Sequence, residues 1–208
     1  MNALILVDIQ NDFLPGGSLA VKDGDQVIPI VNKLSRSDAF ELVVATQDWH
    51  PADHLSFASN HEGKKPMETI NLDGLDQILW PDHCVQGSEG ADFSPKLDLN
   101  RVEAIFRKGM ESRIDTYSGF YDNGHKKKTG LTGYLRDRGV KEVYIVGLAA
   151  DVCVKFTVMD ALKEDFTTYL FKDATRAVNA QEGDFEKALE EMQHQGAKII
   201  ESDEILIE

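Results

Sequence analysis

Apolar positions fall into short continuous runs, and the segments between them carry helical spacing. Ala3 to Val7 is an unbroken apolar run ending in Asp8, which reads as an interior strand. The runs 42–46, 104–107, 143–146, 167–171 and 198–200 read the same way, being short and rich in β-branched and aromatic residues. Residues 25–34 set Val27, Ile30, Val31 and Leu34 on one face, with Pro29 near the start where proline is tolerated. Residues 129–138, closed by Gly139, and 181–195, closed by Gly196, predict two further helices. Residues 151–164 predict a fourth, with Val154, Val158, Ala161 and Leu162 in phase. Strands alternating with helices make βαβ units. The expected fold is therefore α/β: a three-layer sandwich with a central, mostly parallel sheet and helices on both faces, in one domain over 1–208. Residues 47–100 follow neither period and are rich in His, Asp, Gly and Pro. Such a long unpatterned stretch inside a compact domain points either to function or to elements that the period does not show.

Composition narrows the classes. A formal net charge of −14 over 208 residues argues against a nucleic-acid partner. The run Lys126-Lys127-Lys128 lies among Asn123, Gly124 and His125 and reads as a solvated loop. No apolar run reaches membrane-spanning length, and Met1 to Asp8 lacks a basic leader region, so no membrane contact and a cytoplasmic location are expected. Cys84 and Cys153 are the only cysteines, too few for a disulfide framework, which suits a reduced compartment. The oligomeric state stays open, a homo-oligomer being compatible with the sequence.

Cys153 is the most informative residue. It stands just past the 143–146 strand, after Gly147-Leu148-Ala149-Ala150, in the first turn of the following helix. Ligands bind at that edge of an open α/β sheet, and a helix N-terminus favours a thiolate there. Asp8 and Lys108 also follow apolar strands at their carboxyl ends, so a parallel sheet would bring all three to one edge. Lys108 would favour the thiolate, and Asp8 could accept the thiol proton and return it to a leaving group. Singly, Asp8 could cap a turn and Lys108 could be solvated. A second set lies in the irregular segment, where four of the six histidines fall between positions 50 and 83. Asp48-Trp49-His50 puts a carboxylate and an imidazole on one side of an extended chain, and His83 follows in Trp80-Pro81-Asp82-His83-Cys84. Two imidazoles and a carboxylate suit a divalent transition metal with open positions. His54 and His61 could also ligate, but read first as surface hydrogen-bonding residues, and Cys84 reads as packing rather than as a soft ligand.

Six stretches, in order, carry a resemblance. They are Leu6-Val7-Asp8-Ile9-Gln10-Asn11-Asp12-Phe13, Thr46-Gln47-Asp48-Trp49-His50-Pro51, Trp80 to Gly87, Lys108-Gly109, Asp115-Thr116-Tyr117-Ser118-Gly119-Phe120, and Gly147 to Val154. Together they resemble the nicotinamidase (pyrazinamidase) branch of the isochorismatase-like hydrolases. The resemblance implies hydrolysis of nicotinamide to nicotinate and ammonia through a cysteine thioester, in NAD salvage, with pyrazinamide as a side substrate. It implies a triad of Cys153, Asp8 and Lys108, and one divalent metal (zinc first, iron or manganese also fitting) on Asp48, His50 and His83. It further implies an oxyanion hole from the amides of Ala149 and Cys153, a cis Leu148–Ala149 peptide, and a ring pocket walled by Phe13 and Trp80 with Tyr117 nearby. In some relatives one more histidine or an acid joins the metal shell, and His54 is the nearest match here. The nearer alternative is a carbamoyl amidase, which shares the triad and generally lacks the metal set; a non-catalytic binding protein would need a broken triad.

Overall fold

The structure, a computed structural model, describes residues 1–206. Among the described residues eight strands follow in order: β1 (Asn2–Val7), β2 (Leu42–Asp48), β3 (Thr69–Leu72), β4 (Leu75–Ile78), β5 (Val102–Lys108), β6 (Glu142–Leu148), β7 (Thr167–Arg176) and β8 (Lys198–Ile200). Among the described residues four α-helices accompany them: α1 (Val27–Arg36), α2 (Leu131–Asp137), α3 (Cys153–Lys163) and α4 (Asp184–His194). Six strands form one parallel sheet in the order β5-β2-β1-β6-β7-β8. The other two form a separate antiparallel hairpin.

Strand β1 explains the continuous apolar run. Leu4 and Leu6 pack on one side with Val27, Val31 and Leu34 of α1. Ala3, Ile5 and Val7 pack on the other with Leu135 of α2, Val154 and Val158 of α3 and Met192 of α4. A central strand buried on both faces has no polar side to show. These two cores make the three-layer α/β sandwich that the patterning predicts.

The topology places the site. From β1 the chain winds outward through β2 to β5, then crosses back to β6 and winds the other way. The carboxyl ends of β1 and β6 therefore flank the switch point, where a crevice opens. Gly147 keeps the two strands close there. Its φ is +116°, and a Cβ on it would lie 2.1 Å from the Val7 carbonyl oxygen.

Three details depart from the sequence reading. Helix α3 starts at Cys153, and the Asp151 side chain instead accepts the backbone N–H groups of Val178 (2.9 Å) and Asn179 (2.8 Å). Strand β7 continues to Arg176, with a register shift against β6 between Ile145 and Gly147. The segment 47–100 contains the β3–β4 hairpin, which period alone did not reveal. Among the described residues no helix is long and apolar enough to cross a membrane.

Candidate active site

Three strand ends deliver three charged or nucleophilic groups to the crevice. Asp8 follows β1 in the left-handed region (φ 48°), Lys108 ends β5, and Cys153 opens α3. All are buried. Lys108 is the hub: its Nζ donates to Asp48 Oδ1 (2.5 Å), to the Thr116 carbonyl (2.9 Å) and to Cys153 Sγ (3.5 Å). Those acceptors engage all three ammonium protons. Asp8 Oδ2 lies 2.9 Å from the same nitrogen as an ion pair, but without aligned hydrogen-bond geometry. Asp8 Oδ1 accepts the Thr46 hydroxyl at 2.7 Å. A carboxylate oxygen of Asp8 lies within 4.8 Å of Cys153 Sγ.

Protonation differs from the sequence expectation. Burial pushes the Cys153 thiol well above its ordinary pKa, outweighing the Lys108 ammonium, and Asp8, Asp48 and Asp115 add to the rise. The helix terminus and the lysine do not make a resting thiolate, because the pocket is dry and holds several carboxylates. Burial also raises Asp8, with Lys108 opposing, which makes it a stronger base. Burial would raise Asp48 as well, but Lys108 and then His50 hold it well below the usual carboxylate range. Burial works against the Lys108 charge, yet Asp48 and Asp8 hold its pKa well above the ordinary lysine value.

Asp48 also faces a second cluster. Its Oδ2 lies 3.3 Å from His50 Nε2 and 3.6 Å from His83 Nε2. His50 Nδ1 donates to the Gly109 carbonyl (2.9 Å) and His83 Nδ1 to the Pro81 carbonyl (2.7 Å). A carbonyl only accepts, so each ring carries its hydrogen on Nδ1 and turns the Nε2 lone pair inward. His50 Nε2 is buried with no aligned hydrogen-bond partner. An inward pair of imidazole lone pairs beside an ionised carboxylate, all within 4.8 Å, fits a divalent transition metal. Gly109 permits the approach: its φ is +68°, and a Cβ there would lie 2.3 Å from His50 Cε1.

Cys153, Ala149, Asp48 and His83 line a small pocket with Phe13, Trp80 and Tyr117. The Phe13 and His83 rings lie 5.6 Å apart, and Trp80 Nε1 donates to the Tyr117 hydroxyl at 3.1 Å. The Leu148–Ala149 peptide is cis. Among the described residues neither the Ala149 nor the Cys153 N–H is donated to a protein acceptor. Two donors beside a nucleophile suit a developing oxyanion.

Some expectations miss. His54 is fully buried beside His50, with ring centroids 4.5 Å apart, and is not a surface residue; burial lowers its pKa to about 4. His61 is partly buried and bonds the Leu55 carbonyl through Nε2 at 2.8 Å, away from the metal ligands. Cys84, by contrast, is buried packing as expected, with burial first among the causes that raise its thiol. Gln10 was given no role, yet its amide brackets Asp48: Oε1 accepts the Asp48 N–H and Nε2 donates to its carbonyl, both at 2.8 Å. Gln77 was missed entirely, and its amide reaches Asp115 (3.3 Å) and the Tyr117 hydroxyl (3.1 Å). A buried glutamine beside Asp8 in an apolar stretch was the available signal for Gln10; Gln77 carried none.

Known proteins share this architecture. The isochorismatase domain family matches residues 2–204. A nicotinamidase of Acinetobacter baylyi is 48% identical over 205 residues, covering 99% of this chain and 94% of its own. The solved nicotinamidase/pyrazinamidase of Acinetobacter baumanii has a TM-score of 0.94 at 49% identity, covering 99% of this chain and 98% of the other. A pyrazinamidase of Pyrococcus horikoshii, solved in complex with zinc, has a TM-score of 0.77 at 41% identity, over 96% of this chain and 98% of its own.

Proposed function

The chain belongs to the isochorismatase family, and on that premise we propose that it hydrolyses the carboxamide of nicotinamide, releasing nicotinate and ammonia. One observation carries the reading. Asp48 joins two clusters, with Oδ1 on the lysine that touches the thiol and Oδ2 facing the imidazole pair. A carboxamide carbon at the thiol and a ring nitrogen at the imidazole cluster are the two ends of a pyridine carboxamide. The high identity to nicotinamidases supports the same substrate.

The chemistry follows from the protonation states. Asp8 takes the proton from Cys153 as sulfur attacks the amide carbon, and Lys108 stabilises the sulfur charge. The carbonyl oxygen, now negative, turns to the N–H groups of Ala149 and Cys153; each such donor is worth about 3–4 kcal/mol in related sites. Asp8 passes its proton to the departing ammonia, leaving a thioester on Cys153. Asp8 then takes a proton from water as water attacks the thioester, and the thiol leaves protonated. Phe13 and Trp80 hold the ring and exclude water, with Tyr117 fixed by Trp80. Asp48, His50 and His83 would hold a divalent metal that supplies a Lewis-acidic position for the ring nitrogen. Zinc is the first choice, with iron and manganese also suited to this donor set. Pyrazinamide keeps the amide and a ring nitrogen in the same relation, so it is a side substrate. The product would feed NAD salvage, in the cytoplasm.

Ammonia release from nicotinamide tests the proposal, measured before chelation, after it, and after metal is returned. Release that falls and recovers supports it. Absence of release under every metal would sink it and favour a carbamoyl substrate for the same thiol.

A further inference from the structure

The ring pocket is closed on one side by a wall one side chain thick. Val178 lines that pocket together with Phe13, Trp80 and Cys153, and it also lines an outer groove with Lys22, Arg176 and Phe185. Among the described residues no other residue is shared by the two cavities. Phe13 and Trp80 are buried in the body of the fold, whereas Val178 is half-buried at its edge. The segment that carries it, residues 177–180, follows the end of β7. Among the described residues that segment makes no backbone–backbone hydrogen bond. Side chains hold it instead. The Asp151 carboxylate accepts the N–H groups of Val178 at 2.9 Å and Asn179 at 2.8 Å, and Asn179 Oδ1 accepts the Phe185 N–H at 3.2 Å. Bonds to a carboxylate are the stronger kind. Asp151 lies between Ala149 and Cys153 in the chain, so the wall is pinned to the same turn that presents the nucleophile.

On the reading above, a pyridine carboxamide is held at two points, its amide carbon at Cys153 and its ring nitrogen at the imidazole pair. The remaining ring carbons meet the other lining side chains. Phe13 and Trp80 are backed by packed core and give no room. Val178 is backed by the groove. We propose that Val178 is a specificity-determining residue, a size stop that keeps ring-substituted pyridine carboxamides out, and that Asp151 is the positioning residue that holds it there. A substituent on the ring carbon facing Val178 needs the space its methyl groups occupy. Shortening that side chain lets the substituent pass through the wall into the groove. Apolar contacts of this kind discriminate one carbon by about 10–200-fold. The inference narrows the substrate class of the site and rests on the nicotinamide reading.

Ammonia release by the zinc-loaded protein gives kcat/KM for nicotinamide and for its ring-methylated derivatives. Each derivative is taken as a ratio to nicotinamide and compared between variants, so that the intrinsic reactivity of each amide cancels. Val178→Ala should raise the ratio by about tenfold or more for the derivative whose methyl faces the wall. The gain should come through KM, since the wall meets ground state and transition state alike. Asp151→Asn keeps one oxygen for the two N–H groups. It should raise the same ratio by a smaller factor, and it serves as the test if the alanine variant fails to fold. Unchanged ratios in both variants would overturn the proposal. So would an equal fall on every amide, the mark of a wall that only supports the fold. Wild-type ratios in Asp151→Asn beside a relaxed Val178→Ala would overturn the role given to Asp151. A wild type that releases no ammonia from nicotinamide would instead sink the substrate reading and this inference with it.

Discussion

Lys108 shows how much one residue decides. Its charge is buried and survives because two carboxylates and a carbonyl surround it. The thiol it touches stays protonated at rest, since burial outweighs one ammonium. Two predictions belong at this scale. Alkylation of Cys153 by iodoacetamide in the ligand-free protein should show no titration step below pH ~9, the usual thiol range being ~8.5; a step near neutrality would show a resting thiolate. Cys153→Ala should lose turnover by about a thousandfold or more while nicotinamide binding, followed by calorimetry, persists. Asp48 gives a third, in the apo protein. Its pKa is held low when folded, so its contribution is present above the unfolded value of ~3.9 and lost as pH falls through the lower folded value. Asp48→Asn should therefore flatten the acid limb of a stability–pH curve, read by urea unfolding.

At the scale of elements, close approach matters more than propensity. The β5 end turns at Gly109, whose carbonyl accepts from His50 and whose missing side chain makes room for that ring. Gly109→Ala should cost about 1–3 kcal/mol through its positive φ and weaken zinc binding, both measurable on one purified variant. An alanine that left zinc affinity intact would show that the His50 ring can shift. The β3–β4 hairpin was within reach of the sequence. Asp73-Gly74 sits between Ile70, Leu72, Leu75 and Ile78, and both turn residues have positive φ, at 52° and 89°, as a two-residue hairpin turn requires. Helix α3 was placed two residues early. Asp151 is a good first-turn residue by type, but its carboxylate is taken by the 178–179 backbone across the fold.

For the molecule as a whole, the sheet order decides function. Reversal at β1 and β6 opens the crevice, and the insert between β2 and β5 brings Trp80 and His83 over it. A metal joining the insert to β2 should stabilise the folded state by mass action. At a thousandfold excess over Kd that is about 4 kcal/mol, at roughly 2–4 °C per kcal/mol for a chain of this size. Chelation should lower Tm by a corresponding ~8–16 °C in a calorimetric scan. An unchanged Tm would mean that the insert holds its place without the ion.

The sequence by itself determined the α/β class, the strand-end positions of Asp8, Lys108 and Cys153, and the presence of a donor set suited to a metal. Those properties follow from local period and residue type, and the family resemblance assembled them into one chemistry. Only the tertiary structure decided charge and orientation. The protonated Cys153 thiol reflects desolvation by neighbours far apart in the chain. The bracket of Gln10 around Asp48 and the reach of Gln77 to Tyr117 both depend on which partner a polar atom meets once water is excluded. Periodicity records which face is buried, and it carries no record of what a buried polar group will find there.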